Sequence, residues 1–381
     1  MRSGNKKKYL IYFLLAFVVV LLNIIAWNSN VFCDAYIRWV FPVWVNTCGR
    51  FMNLFSFSVG EIMLFSAVGL TVLFLLAGIT VGVFKFAKGG THNPVSRFCR
   101  KYVSFYTWLV LVVCLIMTLN CTILYHASTF SEKYFGSPQR KYTMEELVRV
   151  RNIVVERCNA LSGQMERDEK GEIIYREDIR KDAVMAMQKL GKTYDQLDGY
   201  YPYPKPLATS DFFSQQYMCG YYFPFSMEAN YNATMYIMNM HSTLCHELAH
   251  LRGYIFEDEA NFISYLACIE SDNPVIQYSG YLSVLNYLDN DFYKAVGKDR
   301  ECYSAQPRIL QQVHEDNIFL TQEEWDRIEE KAILNTETVE EVSDIFTDTM
   351  LKANGVSDGA ISYSRVVGLL LQYYETIGFC E

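Results

Sequence analysis

Three long apolar runs constrain the fold of this chain more than any other feature. They extend from Tyr9 to Trp27, from Ile62 to Phe84 and from Val103 to Tyr125. An α-helix of about 20 apolar residues crosses the roughly 30 Å of hydrocarbon in a bilayer and satisfies its own backbone hydrogen bonds there. We therefore expect a membrane anchor of three transmembrane helices in residues 1–125 and a second domain in residues 126–381.

The first run admits one alternative, because basic residues before an apolar stretch are also typical of a cleaved signal peptide. This run is longer than a usual signal core, and no convincing small-x-small cleavage site follows it. Two further apolar runs come after it. These observations favour an anchor.

Basic residues predict the orientation of the anchor, since cytoplasmic loops of membrane proteins are enriched in Lys and Arg. They cluster before the first run and between the second and third runs: Arg2, Lys6, Lys7, Lys8, Lys85, Lys88, Arg97, Arg100 and Lys101. We expect a multi-pass protein of the cell membrane with a cytoplasmic N-terminus. The chain beyond Tyr125 is then extracytoplasmic. The aromatic outer loop between the first two runs either lies at the membrane surface or packs on the second domain.

Charge is distributed unevenly along the chain. Residues 1–125 contain 11 basic and 2 acidic residues, and the remainder contains 23 basic and 40 acidic residues, a formal charge of −17. Nucleic-acid binding depends largely on Lys and Arg at phosphates, so we expect no nucleic-acid partner. An acidic surface can attract basic substrates, but it also serves solubility, which is the interpretation we favour.

The chemistry of the second domain centres on the sequence HELAH at residues 246–250. In a helix His246 and His250 lie one turn apart on one face, so both imidazoles can bind one zinc ion. Glu247 beside them can act as the general base on a metal-bound water. The competing interpretation is an ordinary amphipathic helix with solvated histidines. It leaves the carboxylates that follow the motif unexplained.

These carboxylates belong to the sequence EDEAN at residues 257–261. A catalytic zinc site needs a third protein ligand, and we favour Glu257. Asn261 lies four residues later, where it can hydrogen-bond a ligand histidine. Glu259 is the alternative ligand. The longer metzincin motif requires a third histidine at position 256. This position is Phe256, so the sequence excludes a metzincin motif.

Local signals predict the elements around the motif. Gly253 tolerates a positive φ and should end the first metal-binding helix, and a second helix should begin near Glu257. Tyr221–Phe225 and Ala233–Met238 are predicted as two short strands. Either Tyr221–Phe225 or Tyr231–Ile237 could pair with a substrate backbone, although core strands without such a role fit equally well.

The cysteines form no CxxC pair and no zinc-finger spacing. Six of the eleven lie in the second domain and permit disulfides in an oxidising compartment, with a connectivity that the sequence does not determine. We expect Cys245 and Cys268 to be packed thiols in buried helices.

HELAH followed by EDEANF resembles the gluzincin-type metallopeptidases, particularly the ImmA/IrrE-type families. More closely, the chain is similar to a bacterial family of membrane proteins with a domain of unknown function. That similarity covers nearly the whole chain and depends on three apolar segments together with GYYFPF from Gly220, EAN from Glu228, HELAHLRG, EDEANF and YSGY from Tyr278. It departs from longer gluzincins in the short gap between His250 and Glu257.

The resemblance implies a three-helix anchor followed by a mainly α (α+β), zincin-like soluble domain with a small sheet. It implies Zn²⁺ at His246, His250 and Glu257, with Glu247 catalytic and a peptide or protein as substrate. The donor for the oxyanion stays open among Tyr278, Tyr281, His241 and Arg252.

The alternative function is a non-catalytic zinc-binding membrane scaffold or a metal sensor. An intramembrane protease is disfavoured, because polar and charged residues flank HELAH.

Overall fold

The structure is a computed structural model that describes residues 2–86, 94–136, 140–354, 356 and 365–379. It is mostly helical (70%), with three candidate membrane helices at the N-terminus and a small sheet beyond them. This confirms the predicted fold class. Lys88, used above for the orientation, lies outside the described residues.

The described residues form eighteen α-helices and three strands, numbered in chain order. The helices are α1 (Arg2–Asn28), α2 (Asn30–Trp39), α3 (Phe41–Trp44), α4 (Arg50–Met52), α5 (Val59–Phe86), α6 (Pro94–Met117), α7 (Phe130–Tyr134), α8 (Met144–Ser162), α9 (Ile179–Leu190), α10 (Ser210–Ser214), α11 (Ile237–His250), α12 (Glu257–Ile269), α13 (Pro274–Ala295), α14 (Arg300–Ser304), α15 (Gln311–Asp316), α16 (Gln322–Lys331), α17 (Thr336–Ala353) and α18 (Val366–Thr376). The strands are β1 (Lys205–Pro206), β2 (Gly220–Phe223) and β3 (Glu228–Tyr231).

Helices α1, α5 and α6 contain the three candidate spans, Lys7–Asn28, Val59–Val83 and Pro94–His126. Each span begins before the apolar run that predicted it, because the residues before each run continue the same helix. The last span includes a π-helical turn, Thr118–Thr122, and a 3₁₀ turn, Leu124–His126. Most apolar side chains of α1 and α5 are exposed, as expected for surfaces that face lipid.

The segment that joins α1 to α5 is helical and has two apolar faces. One face carries Cys33, Ile37 and Phe41, which are buried in the same core as the helices beyond residue 126. The opposite face carries Trp39 and Val43, which are exposed. The segment between α1 and α5 therefore packs on the second part of the chain and also presents an apolar surface of its own.

Helix α11 lies at the centre of that second part and packs against α9, α12 and α13, while α8 packs along α13. Its buried residues include Leu244, Cys245 and Leu248. Their burial explains why apolar residues occur within and before HELAH. At the start of α8, Thr143 and Glu146 form a capping box. The ten described cysteines are free, and Cys380 lies outside the described residues.

The sheet has the order β1-β3-β2, with β1 parallel and β2 antiparallel to β3. The strand predicted at Tyr221–Phe225 is present at Gly220–Phe223. The strand predicted at Ala233–Met238 is wrong, because these residues form a turn and the first residues of α11. The chain instead reverses tightly at Met227, which has φ +54°, and pairs Glu228–Tyr231 with β2.

Glu228 joins this sheet to the membrane helices. Its carboxylate accepts hydrogen bonds from the backbone N–H groups of Val59 (3.2 Å) and Gly60 (2.6 Å), in the first turn of α5. It also forms an ion pair with Lys205 of β1, and both side chains are almost fully buried. A carboxylate at a helix N-terminus satisfies N–H groups that have no partner within the helix.

We predict that Glu228→Gln destabilises the protein strongly, because it leaves Lys205 charged and buried without its partner. Removal of one member of a buried pair costs about 3–5 kcal/mol. The change is measured as a lower midpoint of thermal unfolding of the full chain in detergent.

The exposed ion pair of Lys170 and Glu323 is the matched control, and Lys170→Ala should leave the midpoint unchanged within error. The double variant Lys205→Met with Glu228→Gln should recover part of the loss. Equal midpoints for wild type and Glu228→Gln would show that the ion pair does not hold the sheet to α5.

Candidate metal centre

A tight turn brings the two predicted metal-binding helices together. Helix α11 ends at His250, Gly253 has φ +88°, and α12 begins at Glu257. A β-carbon at Gly253 would lie 3.0 Å from Cγ2 of Ile37 in α2. Both the backbone conformation and the space at this position therefore favour glycine. The turn sets the first residue of α12 beside the last turn of α11.

His246, His250 and Glu257 meet at one point of this junction. Their ligand atoms all lie within 4.8 Å of one another. The Nε2 atoms of the two histidines are 3.1 Å apart, and Oε2 of Glu257 lies 3.0 Å from Nε2 of His246 and 3.9 Å from Nε2 of His250. Two imidazoles and one carboxylate in this arrangement can hold a metal ion and leave a further coordination position for water.

The other nitrogen of each ring has a hydrogen-bond partner. Nδ1 of His246 lies 2.8 Å from Oδ1 of Asn261, and Nδ1 of His250 lies 2.7 Å from the carbonyl oxygen of Tyr254. Each partner can accept a hydrogen bond from a protonated Nδ1. This tautomer leaves the lone pair of Nε2 available to a metal ion. The structure thus places Asn261 where the sequence predicted it, one turn after Glu257.

Glu259 faces away from this cluster. Its carboxylate accepts a hydrogen bond from the backbone N–H of Phe130, at the start of α7. Burial raises the pKa of Glu259 to about 8, an effect that the hydrogen bond from Phe130 partly offsets. Of the two carboxylates that the sequence left open, Glu257 lies at the histidines and Glu259 holds α7 against α12.

Glu247 lies beside the cluster and is 4% exposed. Its Oε2 atom has no hydrogen-bond partner among the described residues. Burial raises the pKa of Glu247 to about 8, His246 lowers it and Glu257 raises it further. A cation at the neighbouring cluster would lower this pKa and favour the carboxylate. A buried, unpaired carboxylate at this place is therefore an observation that fits a bound cation.

Gly220 explains how Glu247 fits beneath the sheet. A β-carbon at Gly220 would lie 2.8 Å from Oε1 of Glu247 and 2.5 Å from the carbonyl oxygen of Asn230. Only a residue without a side chain allows β2 to approach the glutamate so closely. Sequence reasoning did not single out this function of Gly220, since a glycine next to aromatic residues carries no specific signal.

The ionisation of two of the three cluster residues, His250 and Glu257, fits a metal. For His246, burial lowers the pKa, but the hydrogen bond and the charge of Glu257 outweigh burial and raise it. Burial lowers the pKa of His250 to about 4, so its ring is neutral near pH 7. Burial opposes a charge on Glu257, but the hydrogen bond from His246 and the nearby imidazoles outweigh it and lower the pKa of Glu257. Metals bind neutral imidazole and ionised carboxylate, which are the forms favoured here for these two residues.

The cluster opens into a cavity of about 1040 Å³. Its walls come from β2, α11, α12, α13, α17 and the end of the third membrane span. The charged residues among the described wall residues are all acidic, namely Glu247, Glu257, Asp316 and Asp344. This volume lies at the upper end of the range of ligand pockets, about 300–1,000 Å³.

The four residues considered as oxyanion donors do not lie on the described walls of this cavity. Tyr278 donates a hydrogen bond to Asp316, and Arg252 bonds to backbone carbonyl groups of the 195–198 turn. The described wall contains Tyr125 and Tyr287 instead. Burial raises the pKa of Tyr287, so its hydroxyl group remains a protonated donor. A chain with 28 tyrosines offers no sequence signal that singles out these two.

Comparison with known proteins gives one relationship. No curated protein and no solved structure matches the chain. The sequence profile of one family matches residues 36–371, which include most of the segment between α1 and α5, two of the three candidate spans, the sheet and the cluster of His246, His250 and Glu257. The chain therefore belongs to the family described as "Protein of unknown function (DUF3810)".

Proposed function

We propose that the protein is a membrane-anchored, zinc-dependent metallopeptidase that hydrolyses peptide bonds. One observation carries the proposal: two imidazole Nε2 atoms and a carboxylate oxygen converge beside a buried carboxylate, Glu247, whose Oε2 atom has no hydrogen-bond partner among the described residues. The resemblance of HELAH and EDEANF to gluzincin-type peptidases supports the same chemistry. A structural zinc site usually has four protein ligands and gains nothing from a general base.

The donor set is the basis for zinc. Two histidines and one glutamate are a catalytic zinc set, and Asn261 and the carbonyl group of Tyr254 orient the two rings. Bound zinc would polarise the scissile carbonyl and lower the pKa of a water molecule toward neutrality. His246, His250 and Glu257 would hold the ion, and all three line the cavity.

Glu247 acts as the general base in this proposal. It takes the proton from the attacking water and gives it to the leaving amine. Gly220 keeps the carboxylate in place, because β2 covers it closely on one side. The edge strand β2 can also bind an extended substrate through its free backbone groups, since β3 pairs with only one side of it. Tyr125 and Tyr287 offer hydroxyl groups for the oxyanion.

The catalytic part lies outside the cytoplasm in this proposal. This orientation follows from the basic residues before the first span and between the second and third spans. Cys302 gives a direct test, because it is exposed and lies beyond the membrane helices. We predict that a membrane-impermeant maleimide labels it on intact spheroplasts, in a Cys380→Ser background. Cys302→Ser should remove the label. Labelling only after the membrane is permeabilised would place this part in the cytoplasm.

We predict that the purified full chain binds about one zinc ion per molecule, measured by plasma mass spectrometry after dialysis. His250→Ala or Glu257→Ala should lower the affinity at least about tenfold, because each removes one of three ligands. Glu259→Gln is the matched control, since that buried carboxylate faces Phe130, and it should retain zinc. Loss of zinc in Glu259→Gln together with its retention in Glu257→Ala would reverse the assignment.

We predict that Glu247→Gln retains zinc and loses cleavage of a peptide library by at least about 100-fold, because the amide cannot accept the proton of water. Cleavage is followed by mass spectrometry of the products, with Glu259→Gln as the control for loss of a buried carboxylate. If the wild-type protein binds zinc but cuts no peptide of the library, the protein is a zinc-binding scaffold or sensor. Equal rates for wild type and Glu247→Gln would also reject the proposed base.

A further inference from the structure

The end of the third membrane span forms part of the cavity wall. Met117, Cys121 and Tyr125 line the same cavity as His246 and His250. The ring of Tyr125 also packs edge-on against Phe256, the residue before Glu257. The cavity therefore extends from the metal cluster to the outer end of a membrane helix.

Strand β2 is attached to that end of the helix. Asn120 donates a hydrogen bond to the carbonyl oxygen of Pro224 (2.9 Å), directly after β2, and the hydroxyl group of Tyr222 donates to the carbonyl oxygen of Asn120 (3.4 Å). The ring of Tyr222 lies 6.0 Å from the ring of His250. One tyrosine side chain thus spans the distance between the membrane helix and a metal ligand.

Helix α5 meets the same strand from the other side. A β-carbon at Gly60, in its first turn, would lie 2.8 Å from Cδ1 of Phe223 at the end of β2. A peptide aligned along β2 would consequently have one end near the points where two membrane helices leave the bilayer.

The outer loop indicates how closely this region approaches the lipid. Its exposed apolar side chains are Val31, Trp39, Val40, Val43, Phe51, Leu54 and Phe57. An apolar face rich in aromatic residues is typical of helices that lie in the membrane interface. Because the opposite face of this loop belongs to the core around α11, we expect the catalytic part to rest on the bilayer surface.

The chemistry of the cavity selects the kind of occupant. No Lys or Arg occurs among its described wall residues, so the phosphate of a lipid head group finds no cationic partner there. Aromatic and apolar side chains, an open strand edge and a few carboxylates instead suit an extended polypeptide that is neutral or basic.

We infer that the substrates are membrane-anchored polypeptides that are cut within about ten residues of the point where they leave the bilayer, a reach of roughly 33 Å in an extended chain. The anchor of the substrate lies in the lipid beside the third span, and the adjoining segment enters the cavity along β2. This inference rests on the proposed peptidase function and adds the location of the scissile bond.

The test uses the full chain reconstituted in vesicles of phosphatidylethanolamine and phosphatidylglycerol. Three probes carry the same randomised ten-residue segment: a soluble peptide, a peptide joined to a Leu/Ala helix of about 20 residues by a Gly/Ser spacer of about 5 residues, and the same anchored peptide with a spacer of about 40 residues. Both anchored probes have the same surface density. Products are identified by mass spectrometry, and Glu247→Gln is the inactive control.

We expect the short-spacer probe to be cut about tenfold faster than the long-spacer probe, because effective concentration falls roughly as the −3/2 power of spacer length. Its cut sites should cluster close to the helix. Equal rates for the two anchored probes, or preferred cleavage of the soluble probe, would overturn the inference and leave the peptidase intact. If no probe is cut faster by wild type than by Glu247→Gln, the proposed function fails and the inference fails with it.

Discussion

The position of the sheet relative to the membrane helices depends on the contacts of the Glu228 carboxylate. This carboxylate accepts hydrogen bonds from the first N–H groups of α5, where this membrane helix begins. These N–H groups have no partner within the helix itself. Glu228 is at the same time the buried partner of Lys205 on β1. A second carboxylate, Glu61, reinforces this junction by accepting hydrogen bonds from the backbone of Ala208 and Thr209. Two buried acids thus fix the sheet to the end of a membrane span.

The position of the metal cluster follows from that junction. Strand β3 carries Glu228 and pairs with β2, and Gly220 of β2 lies directly against Glu247. On the other side of the cluster, Gly253 turns the chain against Ile37 of α2, in the segment between α1 and α5. The membrane region therefore contributes to the shape of the site as well as anchoring it. This explains why one cavity contains residues from both parts of the chain.

Much of this could be predicted from the sequence, because the relevant signals are local. Apolar length predicted three candidate spans, the i, i+4 spacing of His246 and His250 placed both rings on one helical face, and Gly253 predicted the break between α11 and α12. The strand predicted after Ala233 was wrong because sheet formation depends on the partner strand. The true partner, Glu228–Tyr231, contains Glu and Asn, which are poor strand formers until they are buried and paired.

By itself the sequence determined the membrane helices, the helix that carries HELAH, and the short list of carboxylates able to join the histidines, since each depends on spacing along a few turns of one helix. Only the tertiary structure showed which of Glu257 and Glu259 lies beside the histidines, because this depends on where α7 packs. The backbone N–H group of Phe130 donates a hydrogen bond to Glu259, and Glu257 lies at the histidines. The tertiary structure also decided that Tyr125 of a membrane span and Tyr287 of α13 face the same cavity. Residues so distant in the chain meet only when the segment between α1 and α5, the sheet and the helices pack around one core.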